Sequence, residues 1–200
     1  MSSAQPVPHR WTYSDLVALP EDRLRHELID GEHFVTPSPN TAHQTILKHL
    51  FVILNTYVER RGVGEVLFAP FDVKLSPYTV LVADLLFFTA DRFAGAVNDK
   101  HATAAPDLVV EILSPSTRRR DLGRKRAVYD REGVREYWVL DPVAETAMVL
   151  RRTAEGGGLA DVRALTASKK GVLQSPLFPG LKIRLAEVSS GSAAKPGRTQ

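Results

Sequence analysis

Two carboxylates in this chain sit where carboxylates are costly. Glu111 lies inside the apolar run LVVEIL, and Asp84 inside TVLVADLLFF. In a strand, alternate residues share a face. Glu111 then sides with Val109 and Leu113, and Asp84 with Val82 and Leu86. Neither face of either run is polar, so both read as strands buried on two sides. A buried, unpaired carboxylate costs several kcal/mol and needs a cation, a hydrogen-bond network or a wet cavity. One solution is a structural ion pair for each acid. The other brings the two acids together around a hard divalent cation such as magnesium, which prefers oxygen ligands. If they converged without a metal, they would repel and one pKa would rise. Two isolated acids on neighbouring apolar strands favour the metal.

A cluster of positive charge follows Glu111: Arg118, Arg119, Arg120, Arg124, Lys125 and Arg126. Such a cluster is either a phosphate-facing patch or a solvated helix face. On a helix, Leu122, Lys125 and Tyr129 form one stripe, expected to face the core. The five arginines fall mostly off that stripe and are expected to spread toward solvent or phosphate. Lys125 is then the cation placed to reach back to Glu111. The competing reading is a lysine that snorkels to water.

The elements that must position these groups follow from the pattern. TYSDLVAL reads as a short helix that Thr12 or Ser14 can cap. Asp30-Gly31, between short apolar-containing runs, signals a hairpin. A long helix follows, with Ile46, Leu47, Leu50, Ile53, Leu54 and Tyr57 at helical spacing and Gly62 at its end. GEVLFAP, FDVKLS and TVLVADLLFF read as three strands, and TADRFAG as a short helix or loop. PDLVVEILS is a strand, STRRRDLGRKRAVYDREG a helix closed by Gly133, and REYWVLDP a strand. That strand–helix–strand unit is expected to be a right-handed parallel crossover. TAMVLRR and the runs after it suggest a small β-rich C-terminal part. The fold class is therefore α/β (α+β), a central mixed sheet flanked by helices, in one domain over 1–188. A disordered polar tail is expected over 189–200.

Composition narrows the function classes. The chain has 200 residues, 44% of them hydrophobic and 24% charged, with a net charge of +3. With no cysteine, disulfides, thiolate nucleophiles and Cys-based zinc sites are excluded, which fits a cytoplasmic protein. No apolar run approaches the roughly 20 residues of a membrane span, and the N-terminus lacks the apolar core of a signal peptide.

An acid on one strand, a second acid on the next and a nearby lysine resemble the PD-(D/E)XK nuclease superfamily and its restriction-endonuclease-like fold. More narrowly, the chain is identified as a member of the Uma2 endonuclease family. The matching runs are HELIDGEHF, SPNTAHQTIL, GEVLFAPFDVKLSPYTVLVADLLFF, APDLVVEILSPSTRRRDLGRKRAVYDREGVREYWVLDP and SPLFPGLKI. The resemblance implies that Asp84 and Glu111 bind Mg2+ (or Mn2+), helped by the main-chain carbonyl of Ile112. The pattern departs at two places. Ala83 stands where a proline is expected, and Leu113 where the lysine is expected. The resemblance puts Lys125 in that lysine's role. Glu27 and His43 also match recurrent family positions. Glu27 would contact the metal or orient a water, or else be a surface strand acid. His43 would touch phosphate, or cap and pack, with packing favoured. Asp107 reads as a turn residue.

The implied activity is metal-dependent cleavage of nucleic acid, DNA in the first instance, with the five arginines on the backbone. A homodimer is also implied, with exposed apolar C-terminal strands as its contact. Two rivals remain: a catalytically silent nucleic-acid-binding or assembly protein on the same fold, and a hydrolase of small phosphorylated metabolites.

Overall fold

The computed structural model describes residues 9–22, 24–153 and 157–189, the side chains of 161 and 162 excepted. Apart from Ser189, the expected tail over 189–200 lies outside the described residues.

Helix α1 (Tyr13–Val17) is capped by Thr12, whose side chain accepts from the Asp15 N–H while Asp15 reaches back. Strands β1 (Arg25–Ile29) and β2 (Glu32–Thr36) form the expected hairpin. Asp30 and Gly31 take the turn at φ 53° and 89°, a left-handed region that glycine and aspartate tolerate. Helix α2 (Thr41–Arg61) starts at Asn40, whose side chain accepts from the His43 N–H, and ends at left-handed Gly62. Strands β3 (Gly64–Phe68), β4 (Asp72–Ser76), β5 (Thr79–Leu81) and β6 (Leu85–Thr89) follow, then helix α3 (Ala90–Ala96) and the short β7 (His101–Ala102). Strand β8 (Leu108–Ile112) carries Glu111. Beyond it come α4 (Arg118–Arg120), a π turn (Asp121–Lys125) and α5 (Arg126–Arg131). The chain continues through β9 (Glu136–Asp141), β10 (Thr146–Arg152), β11 (Leu159–Thr166), β12 (Val172–Leu173), β13 (Ile183–Arg184) and α6 (Leu185–Ser189).

These strands form a five-stranded sheet, β2-β1-β5-β4-β7, a six-stranded sheet, β11-β10-β9-β8-β6-β3, and the pair β12-β13. β8 and β9 are parallel neighbours, so the crossover between them is present. β10 and β11 complete the six-stranded sheet instead of forming a separate C-terminal part. Among the described C-terminal residues, Val143, in the β9–β10 turn, is the one exposed large hydrophobic. No helix among the described residues is long and apolar enough to cross a membrane.

The alternation in β8 holds. Leu108, Val110 and Ile112 face a core built with Leu50 and Leu54 of α2. Val109 and Leu113 face a second core built with Leu81, Tyr129 and Tyr137. Glu111 belongs to this second face.

Two expected elements are broken. TVLVADLLFF is not one strand: β5 ends in the first sheet and β6 begins in the second. Backbone groups that leave one ladder need other partners. At the handover, the Val82 N–H donates to Glu27 Oε1 at 2.9 Å and the Asp84 carbonyl accepts from Ala69 at 3.1 Å. The helix after Glu111 is also interrupted, by the π turn, a feature that often accompanies functional sites.

Candidate active site

The handover from β5 to β6 opens a cavity of about 130 Å³ between the sheets, α2 and the π turn. Glu27 and Arg25 reach it from β1, His43 from α2, Asp84 from the handover and Glu111 from β8. Arg120, Asp121 and Lys125 reach it from the interrupted helix.

Lys125 is the centre of one half. Only 2% of it is exposed, so it does not snorkel to water. Its Nζ lies 2.6 Å from Glu111 Oε1 and 2.8 Å from Glu27 Oε1, and it donates to the Val82 carbonyl at 3.3 Å. Asp121, four residues earlier, stands 3.9 Å away and is equally buried. Residues four apart share a helix face, so both side chains occupy the inner side of the segment. Burial alone would lower the Lys125 pKa. The facing carboxylates of Glu111, Glu27 and Asp121 outweigh it, and the ammonium is held above its ordinary pKa. Burial pushes Glu111 well up, against the pull of Lys125, with Asp121, Asp84 and Glu27 adding repulsion. Tyr129 donates to the same Glu111 oxygen at 2.9 Å, so both of these contacts fall on Oε1.

Asp84 anchors the other half. Arg25 Nη1 meets Oδ1 at 2.8 Å. Oδ2 accepts from His43 Nε2 at 3.0 Å and from the Ile112 N–H at 2.8 Å. Burial would raise this carboxyl. The His43 hydrogen bond, the charges of His43 and Arg25, and the Ile112 amide outweigh it, so Asp84 sits below the usual aspartate range.

The structure brings Asp84, Glu111, Lys125 and Glu27 to one cavity. It corrects several other readings. Glu27 is no surface acid: it is 2% exposed, holds Lys125, and pairs with Arg120 at 3.1 Å. His43 does more than pack, since its Nε2 bonds Asp84 Oδ2 at 3.0 Å. Its Nδ1 is buried with no partner among the described residues. The arginines divide. Arg118, Arg119 and Arg124 are exposed, although Arg118 pairs with Asp141 and Arg124 with Glu32. Arg120 turns inward to Glu27 and Thr36, and half-buried Arg126 donates to the Leu159 carbonyl at 3.4 Å. Both turn in because the π turn rotates the helix relative to a regular spacing. Asp107 is a fully buried tie, not a simple turn residue: it accepts from Thr89, Arg92 and Arg135.

Sequence reasoning missed Arg25, Asp121 and Tyr129. Arg25 stands two before Glu27 on one strand and therefore shares its face. Asp121 stands four before Lys125, so a helical wheel would have put it on the same side.

The donor set suits a hard cation. Four carboxylates and three permanent cations line the cavity, which makes it rich in oxygen donors. Asp84, Glu111 and the Ile112 main chain would hold such an ion. Among the described residues, no three His, Asp or Glu side chains form a ready-made cage.

The two-sheet framework, with Asp84 at the strand handover and Glu111 on β8, is a restriction-endonuclease-like fold. It is shared with a crystal structure from Anabaena variabilis titled "a putative nuclease belonging to DUF820". That match has a TM-score of 0.72 and 18% identity, and it covers 89% of this chain and 97% of the other. The model of the Uma2 family, described as "Putative restriction endonuclease", matches residues 13–186, and the chain belongs to this family. No curated protein matches.

Proposed function

We propose that this chain is a metal-dependent endonuclease that hydrolyses phosphodiester bonds of nucleic acid, DNA in the first instance. Asp84 and Glu111 would hold Mg2+ (or Mn2+). That ion supplies a bound water of lowered pKa and a Lewis acid at the phosphate. Asp84 suits this task because His43 and the Ile112 amide fix its orientation and keep it ionised. Glu111 has its Lys125 and Tyr129 contacts on one oxygen, so the other can serve a ligand. The Lys125 ammonium offers fixed positive charge where negative charge develops on phosphorus, in a site sheltered from bulk water. Glu27 holds that ammonium in place and so acts as a positioning residue. Exposed Arg118, Arg119 and Arg124 would take backbone phosphates.

The observation that carries this reading is the fully buried Lys125 between Glu111 and Glu27, in the cavity that Asp84 also lines. A structural ion pair alone would not need four carboxylates around one lysine and two arginines. Purified protein incubated with plasmid, single-stranded DNA and RNA, with and without magnesium, tests the proposal. Magnesium-dependent cutting that Asp84→Ala abolishes is the expected result. No cutting of any polymer, or equal cutting by Asp84→Ala, sinks the nuclease reading. Turnover of nucleotides without polymer cleavage would point to the small-metabolite hydrolase.

A further inference from the structure

The candidate site has two unlike neighbours. Toward the interrupted helix, it shares Ser116 and Arg120 with a cavity of about 510 Å³ that Arg119, Phe34 and the Arg124–Glu32 pair also line, three arginines against one acid. Toward α2, it shares Arg25, Ser38, Pro39, His43 and Asp84 with a cavity of about 270 Å³. The remaining wall of this second cavity is Leu24, Leu47, Ala69 and Pro70, with exposed Gln44. A basic annex and an apolar annex therefore flank one acid-rich centre.

That pairing matches the chemistry of a polynucleotide, whose charged backbone alternates with flat, largely apolar bases. A second phosphate would be poorly placed in the apolar annex. Its one permanent cation, Arg25, is already bound to Asp84 at 2.8 Å, and aliphatic walls do not solvate an anion. A base suits it better: the Leu and Pro surfaces take its faces, and the Gln44 amide can bond its edge. We infer that this annex receives the nucleobase adjoining the scissile phosphate, splayed out of its stack. The inference rests on the nuclease reading for the position of the phosphate. It goes further by making an unpaired or locally opened strand the substrate form.

The test uses the full chain and a single-stranded oligonucleotide carrying 4-thiothymidine, irradiated in EDTA so that no cutting is required. Crosslinks to peptides containing Leu24, Gln44, Leu47 or Pro70 are expected. Leu24→Trp, at a 43% exposed position outside the acid cluster, should fill the annex. It should remove those crosslinks while leaving the ones to Arg119 and Arg124 peptides. Cleavage of the same oligonucleotide by Leu24→Trp should fall on the order of tenfold, the scale of one lost base-stacking contact. Crosslinks confined to the arginine peptides of the parent overturn the inference, whatever the variant does. A parent that crosslinks through the annex but never cuts in magnesium upholds base capture and sinks only the nuclease reading.

Discussion

Lys125 Nζ lies 2.6 Å from Glu111 Oε1, although Leu113, two residues after Glu111, holds the position where the superfamily pattern expects a lysine. Leu113 is buried in the core beside Tyr129 and Tyr137. The charge comes instead from the π turn, where the Lys125 ammonium meets carboxylates from two strands. Moving the lysine onto a helix also lets it bind Glu27, which links β1 to β8 through one ammonium.

Removing that ammonium should cost stability as well as activity. Lys125→Met leaves buried Glu111 without its cation and leaves buried Glu27 with Arg120 alone. Breaking one side of a buried ion pair typically costs about 3–5 kcal/mol. Urea unfolding of the metal-free protein should show a loss of that order. Adding Glu27→Gln and Glu111→Gln to Lys125→Met should recover part of it, because the repelling charges go. A Lys125→Met protein as stable as the parent would mean the lysine carries no structural weight.

Asp84 should make the metal-free protein acid-sensitive in a defined window. Its folded pKa is lowered below the ordinary value of 3.8, so the folded state binds fewer protons than the unfolded state as pH falls. The stabilisation is complete above the ordinary value and disappears as pH drops through the folded one. Asp84→Asn lacks this titration. Urea unfolding from pH 7 downward should show the parent ahead at neutral pH. The gap to Asp84→Asn should hold down to about pH 5 and close below about pH 4. A gap that widens on acidification would contradict the assignment.

What could be read from the sequence, and what could not, divides along the range of the forces involved. The double-sided burial of LVVEIL was legible because strand alternation is local, and so was the inward stripe of Leu122, Lys125 and Tyr129. The break at Asp84 was hidden in a continuous apolar run. It depends on Glu27, from a distant strand, satisfying the Val82 N–H. The inward turn of Arg120 was equally hidden, since it follows from a π turn that no residue type announces. His43 looked like a packing residue because its partner, Asp84, is far away in sequence and only the fold joins them.

His43 leads to a prediction about metal affinity. It fixes Asp84 Oδ2, and partners that orient a metal ligand typically contribute 10–100-fold in affinity or activity. Calorimetric titration with manganese should therefore show His43→Ala binding about 10–100-fold more weakly than the parent. Asp141→Asn, which alters an acid outside the cavity, should bind as the parent does. Equal affinity for His43→Ala would mean that Asp84 needs no orienting partner, or that the metal sits elsewhere.

The division among the arginines gives the last prediction, because two neighbours should fail in different ways. Arg119 is exposed and makes no ion pair among the described residues, so its charge is available to a phosphate. Arg120, the next residue, is spent on Glu27 at 3.1 Å. Arg119→Ala should leave the fold intact and weaken nucleic-acid binding uniformly across sequences. The slope of log affinity against log salt should shrink by about 0.7–0.9, the value for one lost phosphate contact. Arg120→Ala should instead lower the unfolding midpoint, since it strips one of the two cations from a buried carboxylate. Anisotropy titrations over a range of salt, paired with urea unfolding, separate the two. If Arg120→Ala lost the salt slope and kept full stability, its pairing with Glu27 would not be what holds that side chain in the cavity.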